Sequence, residues 1–179
     1  MRQPRVTDIE DYQLISCFWT KYVPAETTAQ DPSPAPWLEN ALLTNNAGPA
    51  LRLSLKALAL TRLGWIDGND ALTIRGRYQY GLALKHIQRA LYDPREMEQD
   101  DTLASAHCLA IYEVGFLPGS WTYSSLYILK LYESTTFKAW NNHVTGLGHL
   151  IKFRGPDSYD SDLARATLYG FAFATVSEP

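Results

Sequence analysis

"NDALTIRGRYQYGLALKHIQRALYDP", residues 69–94, decides the fold class. Tyr80, Leu84, Ile87 and Leu91 recur at three- and four-residue steps, which places them on one buried stripe of an α-helix. Asn69 or Asp70 offers a side-chain oxygen to the first free amides and so caps the start. Asp93 precedes Pro94, and a residue before proline avoids the helical region, so the helix ends there. Arg75, Arg77, Lys85 and Arg89 spread around the same helix and read as a solvated face.

Similar patterns extend on both sides. Residues 8–23, "DIEDYQLISCFWTKYV", place Ile9, Tyr12, Ile15, Phe18 or Trp19, and Tyr22 on one apolar stripe, with Thr7 or Asp8 as N-cap. Four prolines between 24 and 36 exclude a propagating helix and predict an extended linker. Residues 36–70 predict a short helix, a turn at "NNAGP" and a longer helix. In the longer one Leu51, Leu55 and Leu58 occupy one face, and Leu53, Ala57 and Leu60 another. Apolar surface on more than one side marks a helix near the middle of the fold.

"DDTLASAHCLAIYE" (100–113) starts with acids where the helix dipole favours them. Its alanines and serine allow neighbouring backbones to come close. Residues 114–133 predict a loop followed by a weak helix, and 135–156 and 159–176 are further helices. The expected architecture is all-α, an irregular array of about six to eight helices, part of a larger helical domain.

Composition narrows the functions open to such an array. At 179 residues, 46% hydrophobic and 20% charged, the chain can bury one core. A net charge of −3 leaves no excess of cations to neutralise many phosphates. Cys17 and Cys108 are too few for a disulfide framework or thiolate cluster, which suits a reducing compartment. "MRQPRVTDIEDY" lacks the apolar core of a signal peptide, and no apolar run reaches membrane-spanning length. The expected setting is therefore intracellular, with no membrane partner.

"AWNNHVTGLGHLIKFRGP" (139–156) holds the strongest candidates for a site. Trp140, His143, Leu147, Leu150 and Arg154 share one helix face, with His149 well off it. The two histidines therefore lack the i, i+4 spacing of metal-binding helices, and no carboxylate sits one turn away to orient either. His143 is expected to be a buried or half-buried packing residue with a backbone partner. Gly146 and Gly148 each cost about 1 kcal/mol relative to alanine inside a helix, which predicts a close crossing there. Gly155 is read as a left-handed C-terminal cap and Pro156 as the stop. Arg154 is expected to bond carbonyls or an acidic partner.

Tyr112, Trp140, His143 and Arg154 are the candidate pocket or packing residues. No catalytic, cofactor-binding or metal-ligating residue is assigned. Neighbouring helical side chains point about 100° apart, so His107 and Cys108 do not form a nucleophile–base couple. "GLGHL" lacks the strand and spacing of a dinucleotide fingerprint, and G-x-S-x-G, Walker-type and C-x-x-C motifs are absent.

Taken in order, "ALRLSLKALALTRLG", "YQYGLALKHIQRALYDP", "DDTLASAHCLAIYE" and "AWNNHVTGLGHLIKFRGP" resemble the fungal-specific transcription factor domain, the helical middle region of fungal binuclear zinc-cluster regulators. The matching positions run from Leu58 to Gly64, Tyr80 to Pro94 and Asp100 to Glu113, then Trp140, His143, Gly146, Arg154, Gly155 and Pro156. The resemblance spans roughly 37–176. It implies a nuclear regulator, often of secondary-metabolism or nutrient genes, acting through protein partners or a small-molecule effector.

Two departures qualify that resemblance. A zinc cluster needs six closely spaced cysteines, so this chain is not expected to bind DNA directly by that device. The family's domain also runs further than Pro179, which implies a truncated member or a fragment with apolar faces uncovered and poor solubility.

The organisation is then an N-terminal helix (1–23), a Pro-rich linker (24–36) and a partial domain (37–179) with an insertion at 114–133. Two readings of 114–133 stay open. It is an inserted hairpin or helix, which surface loops tolerate, or a translated intron whose removal leaves "AIYESTTFKAW". A transcript containing codons 114–133 rules out the second. The alternatives to a regulator are a helical interaction scaffold, weakened by the lack of a fixed-period repeat, and an enzyme with a site between helices around Tyr112, Trp140, His143 and Arg154.

Overall fold

The structure, a computed structural model, describes residues 6–22, 36–43, 47–114 and 135–176. They form eight α-helices and one short 3₁₀ turn, with no strand among the described residues. The helices are α1 (Val6–Tyr22), α2 (Pro36–Leu43), α3 (Pro49–Ile66), α4 (Asp70–Tyr92), α5 (Pro94–Met97), α6 (Asp100–Val114), α7 (Thr135–Arg154) and α8 (Asp162–Val176). The 3₁₀ turn is Pro156–Ser158. The class is all-α, as the periodicity predicts.

The centre of the array is α3, with α1, α4 and α6 packed around it. Leu51, Leu55, Ala57, Leu58, Leu60 and Leu63 are all buried, so this helix does present apolar surface on several sides. Phe18 of α1, Trp37 and Leu38 of α2, and Ala104, Cys108 and Tyr112 of α6 complete the main core. Each such leucine, fully removed from water, contributes roughly 1.5–3 kcal/mol. A second cluster joins Leu103 of α6 to Leu147 and Leu150 of α7.

The α3–α4 hairpin shows why its turn needs particular residues. Gly68 takes φ +61, a conformation that side-chain-bearing residues rarely adopt. Asn69 caps α4, its Oδ1 accepting from the amides of Ala71 at 3.1 Å and Leu72 at 3.3 Å. Beyond the turn the two backbones nearly touch. A Cβ at Gly64 would lie 2.7 Å from the Thr73 nitrogen, and one at Gly76 would lie 2.8 Å from the Thr61 nitrogen.

Several expectations need correcting. Leu91 is exposed, and the buried side of α4 is Gly76, Ala83, Ile87 and Ala90, because small residues are what α3 admits. Tyr12 is also exposed, whereas Phe18, Ile15 and Trp19 of the same predicted stripe join the main core, with Leu14 beside them. Among the described residues Gly146 meets nothing within 4 Å and Gly148 meets the Phe171 ring at 3.9 Å, so no described element crosses tightly there. The close crossings lie at Gly64, Gly76 and Gly170. Gly155 has the positive φ foreseen, 73°, but an extended ψ of 169° rather than a left-handed helical one; this region is essentially restricted to glycine. The linker reading over 24–36 and the 114–133 reading fall outside the described residues, apart from Pro36, which starts α2 and is not linker, and Val114, which closes α6.

Candidate functional site

Two polar knots organise the array, and both collect side chains from different helices. The first lies where α4, α6 and α7 meet. Tyr80 donates its hydroxyl to Glu113 Oε1, and His143 Nε2 lies 3.0 Å from the same hydroxyl oxygen. With the tyrosine proton committed to the carboxylate, the imidazole is the donor to the tyrosine oxygen. Tyr80 stacks on Tyr112 with ring centroids 4.3 Å apart and planes 12° from parallel, and it meets His143 edge-on. Thr61 of α3 donates to the Tyr112 hydroxyl at 3.4 Å.

Burial sets the electrostatics of this cluster. Glu113 is a buried carboxylate, tolerable because a hydroxyl donor faces it. Burial, then the hydrogen bond to Glu113, pushes the Tyr80 hydroxyl far above its ordinary range. Burial also raises Tyr112 and lowers His143, with the charge on Glu113 opposing the latter shift. The trio thus holds a neutral imidazole and a protonated phenol against a carboxylate. Such an arrangement fixes side chains in place, and a phenol so far from ionising makes a poor base at neutral pH.

The second knot closes the far end of α7. Arg154, with only 2% of its side chain exposed, donates Nη1 to the Gln99 carbonyl at 3.0 Å, and Nη2 to Asp100 Oδ1 at 2.5 Å and to the Ser158 carbonyl at 2.9 Å. Its guanidinium also sits 5.4 Å from the Tyr159 ring centroid. The other Asp100 oxygen accepts from Ser161 Oγ at 2.6 Å, and that same oxygen of Ser161 caps α8 by accepting from the Ala164 amide at 3.0 Å. One carboxylate therefore ties the start of α6, the end of α7 and the start of α8 together.

A third feature is His107, buried beneath the Trp37 ring at a centroid distance of 4.6 Å. Its Nδ1 has no hydrogen-bond partner among the described residues. Burial lowers this histidine to about 4 and pushes the neighbouring Cys108 thiol up. Gly170 of α8 makes room for the pair of rings: a Cβ there would lie 2.9 Å from Trp37 Cδ1. Neutral imidazole and protonated thiol both belong to the core.

Of the sequence-derived candidates, Tyr112 and His143 come together through Tyr80. Arg154 lies about 16 Å further along α7 and belongs to the other knot. The side chain of Trp140 lies outside the described residues. The backbone partner expected for His143 is replaced by the Tyr80 hydroxyl, which comes from another helix. Tyr80 and Glu113 were missed as site residues; the available signal was a glutamate set into the apolar last turns of α6. Among the described residues no group of three metal-ligating side chains converges, and no helix is long and apolar enough to cross a membrane.

Positions of the ordered motifs meet in both knots: Tyr80, Tyr112, Glu113 and His143 in one, Asp100 and Arg154 in the other. The family model described as the fungal specific transcription factor domain matches residues 13–177, and the chain belongs to that family. It is a family of transcription factors rather than of enzymes. No curated protein and no solved structure matches the chain.

Proposed function

We propose that the chain is a regulatory helical domain of the zinc-cluster type of fungal regulator, working in the nucleus without touching DNA itself. The observation that carries this reading is the family match over residues 13–177. The net charge of −3 agrees with a role away from the phosphate backbone. In this reading residues 37–179 carry a partial domain with an insertion at 114–133. The first helix docks onto it across the 24–36 segment, as the burial of Phe18 in the main core supports. The Tyr80–Glu113–His143 and Arg154–Asp100 knots set helix registry, so that the array can pass a partner's or effector's binding on to the rest of a regulator.

The test is a tethering assay. Fused to a heterologous DNA-binding module in a fungal host, the chain should change expression of a reporter carrying that module's site. The chain alone should leave duplex DNA unshifted in a mobility assay, and a fluorescent fusion should concentrate in the nucleus. A reporter unchanged from the DNA-binding module alone overturns the proposal.

A further inference from the structure

The outer face of α4 is unlike an ordinary solvated helix surface. Ile74, Tyr78, Lys85, Arg89 and Tyr92 follow one another at steps of four, seven, four and three residues, which keeps them within about 60° of one another around the helix. They lie directly opposite the buried Gly76, Ala83, Ile87 and Ala90. Ile74 is 64% exposed, Tyr78 66% and Tyr92 83%, so three large apolar side chains stand in water along a face about 27 Å long. Arg75 and Arg77 flank it on either side.

Charge is concentrated on the same element. Between Asp70 and Tyr92 there are four cations and one acid, a net of +3 in a chain whose net charge is −3. None of the four cations forms an ion pair with a described residue. Gly81, between Tyr78 and Lys85 on this face, is a third peculiarity. Glycine weakens a helix interior, and a Cβ there would meet nothing within 4 Å among the described residues, so their packing does not require it.

We infer that this face of α4 is a docking surface for an acidic segment that carries its own apolar residues. Carboxylates would answer Lys85, Arg89, Arg75 and Arg77, while aliphatic or aromatic side chains would cover Ile74, Tyr78 and Tyr92, with the partner backbone approaching over Gly81. A second copy of the same face would set like charges against each other. Duplex DNA presents one phosphate charge per about 1.7 Å and would leave the apolar side chains uncovered. This inference goes beyond the regulatory role and stands or falls separately from it.

The test uses the full chain and a fluorescent synthetic peptide of about 20 residues, long enough to span the face as a helix. The peptide carries leucines on one face and glutamates on the other; a partner peptide has lysine in place of every glutamate. The glutamate peptide should bind in an anisotropy titration, weaken as salt rises, and outbind the lysine peptide. The double variant Lys85→Glu/Arg89→Glu should weaken binding by about tenfold or more, and Tyr78→Ser by about fivefold. These side chains are exposed, so the helical circular dichroism and thermal melt should be retained. Equal binding of the two peptides, unchanged affinity in either variant, or no binding at about 100 μM peptide overturns the inference. So does duplex DNA that binds wild type and is lost in the charge-reversed variant.

Discussion

Arg154 and Asp100 are 54 residues apart in sequence and 2.5 Å apart in space, and the contact is largely closed to water on the arginine side. Removing the guanidinium would leave the Gln99 and Ser158 carbonyls without this donor, and Asp100 with only Ser161 and partial exposure to water. Arg154→Met is therefore expected to destabilise the fold by about 1–3 kcal/mol, the usual cost of leaving buried acceptors without their donor. Arg154→Lys should recover only part, since an ammonium lacks the planar fork that reaches all three acceptors. Urea unfolding of the three proteins measures both.

Alanine at two glycines of α4 should act with opposite sign. Gly76→Ala drives a methyl group into Thr61 and should cost about 1–3 kcal/mol or more through overpacking. Gly81→Ala meets no described residue within 4 Å and should add up to about 1 kcal/mol of helix stability. Gly146→Ala on α7 should behave like the second. Thermal melts ranking Gly76→Ala below wild type and the other two above it would bear this out.

His107 predicts an acid-sensitive fold. Its folded value of about 4 lies below the ordinary 6.5 because burial disfavours the charged ring. Between those values the unfolded chain binds the extra proton, so stability is complete above about pH 6.5 and falls as pH drops toward 4, by up to about 3 kcal/mol. His143 shifts in the same direction. The variant His107→Gln should show a visibly flatter loss than wild type across that window when unfolding is followed against pH.

Tyr80→Phe keeps the ring stacked on Tyr112 but removes the hydroxyl that serves both Glu113 and His143. Leaving a buried carboxylate short of its donor should cost about 1–3 kcal/mol. Adding Glu113→Leu to this variant should restore part of the loss, because the unpaired charge is then gone. A double-mutant cycle in urea gives the coupling.

The helices were legible because each is written locally. The 69–94 stretch shows its period, its Asn69 cap and its Asp93-Pro94 stop within itself, and the structure begins and ends α4 accordingly. The ordered motifs likewise pointed to the family. Which apolar residues are buried was less legible: Leu91 and Tyr12 fit their stripes yet face water, because the neighbouring helix reaches Ala90 and Phe18 instead. At Gly146 and Gly148 no described element crosses closely, for a related reason. A glycine reports that something is unusual, whereas what stands opposite it depends on another helix.

By itself, then, the amino-acid order determined an all-helical chain, its breaks and its kinship, since period, capping and proline act over a few residues. Only the packed structure decided that Tyr80 stands between Glu113 and His143, that Asp100 fastens three helix ends, and that α4 turns a cationic, aromatic face outward. Those outcomes depend on the distances and rotations between helices, and no local pattern specifies them.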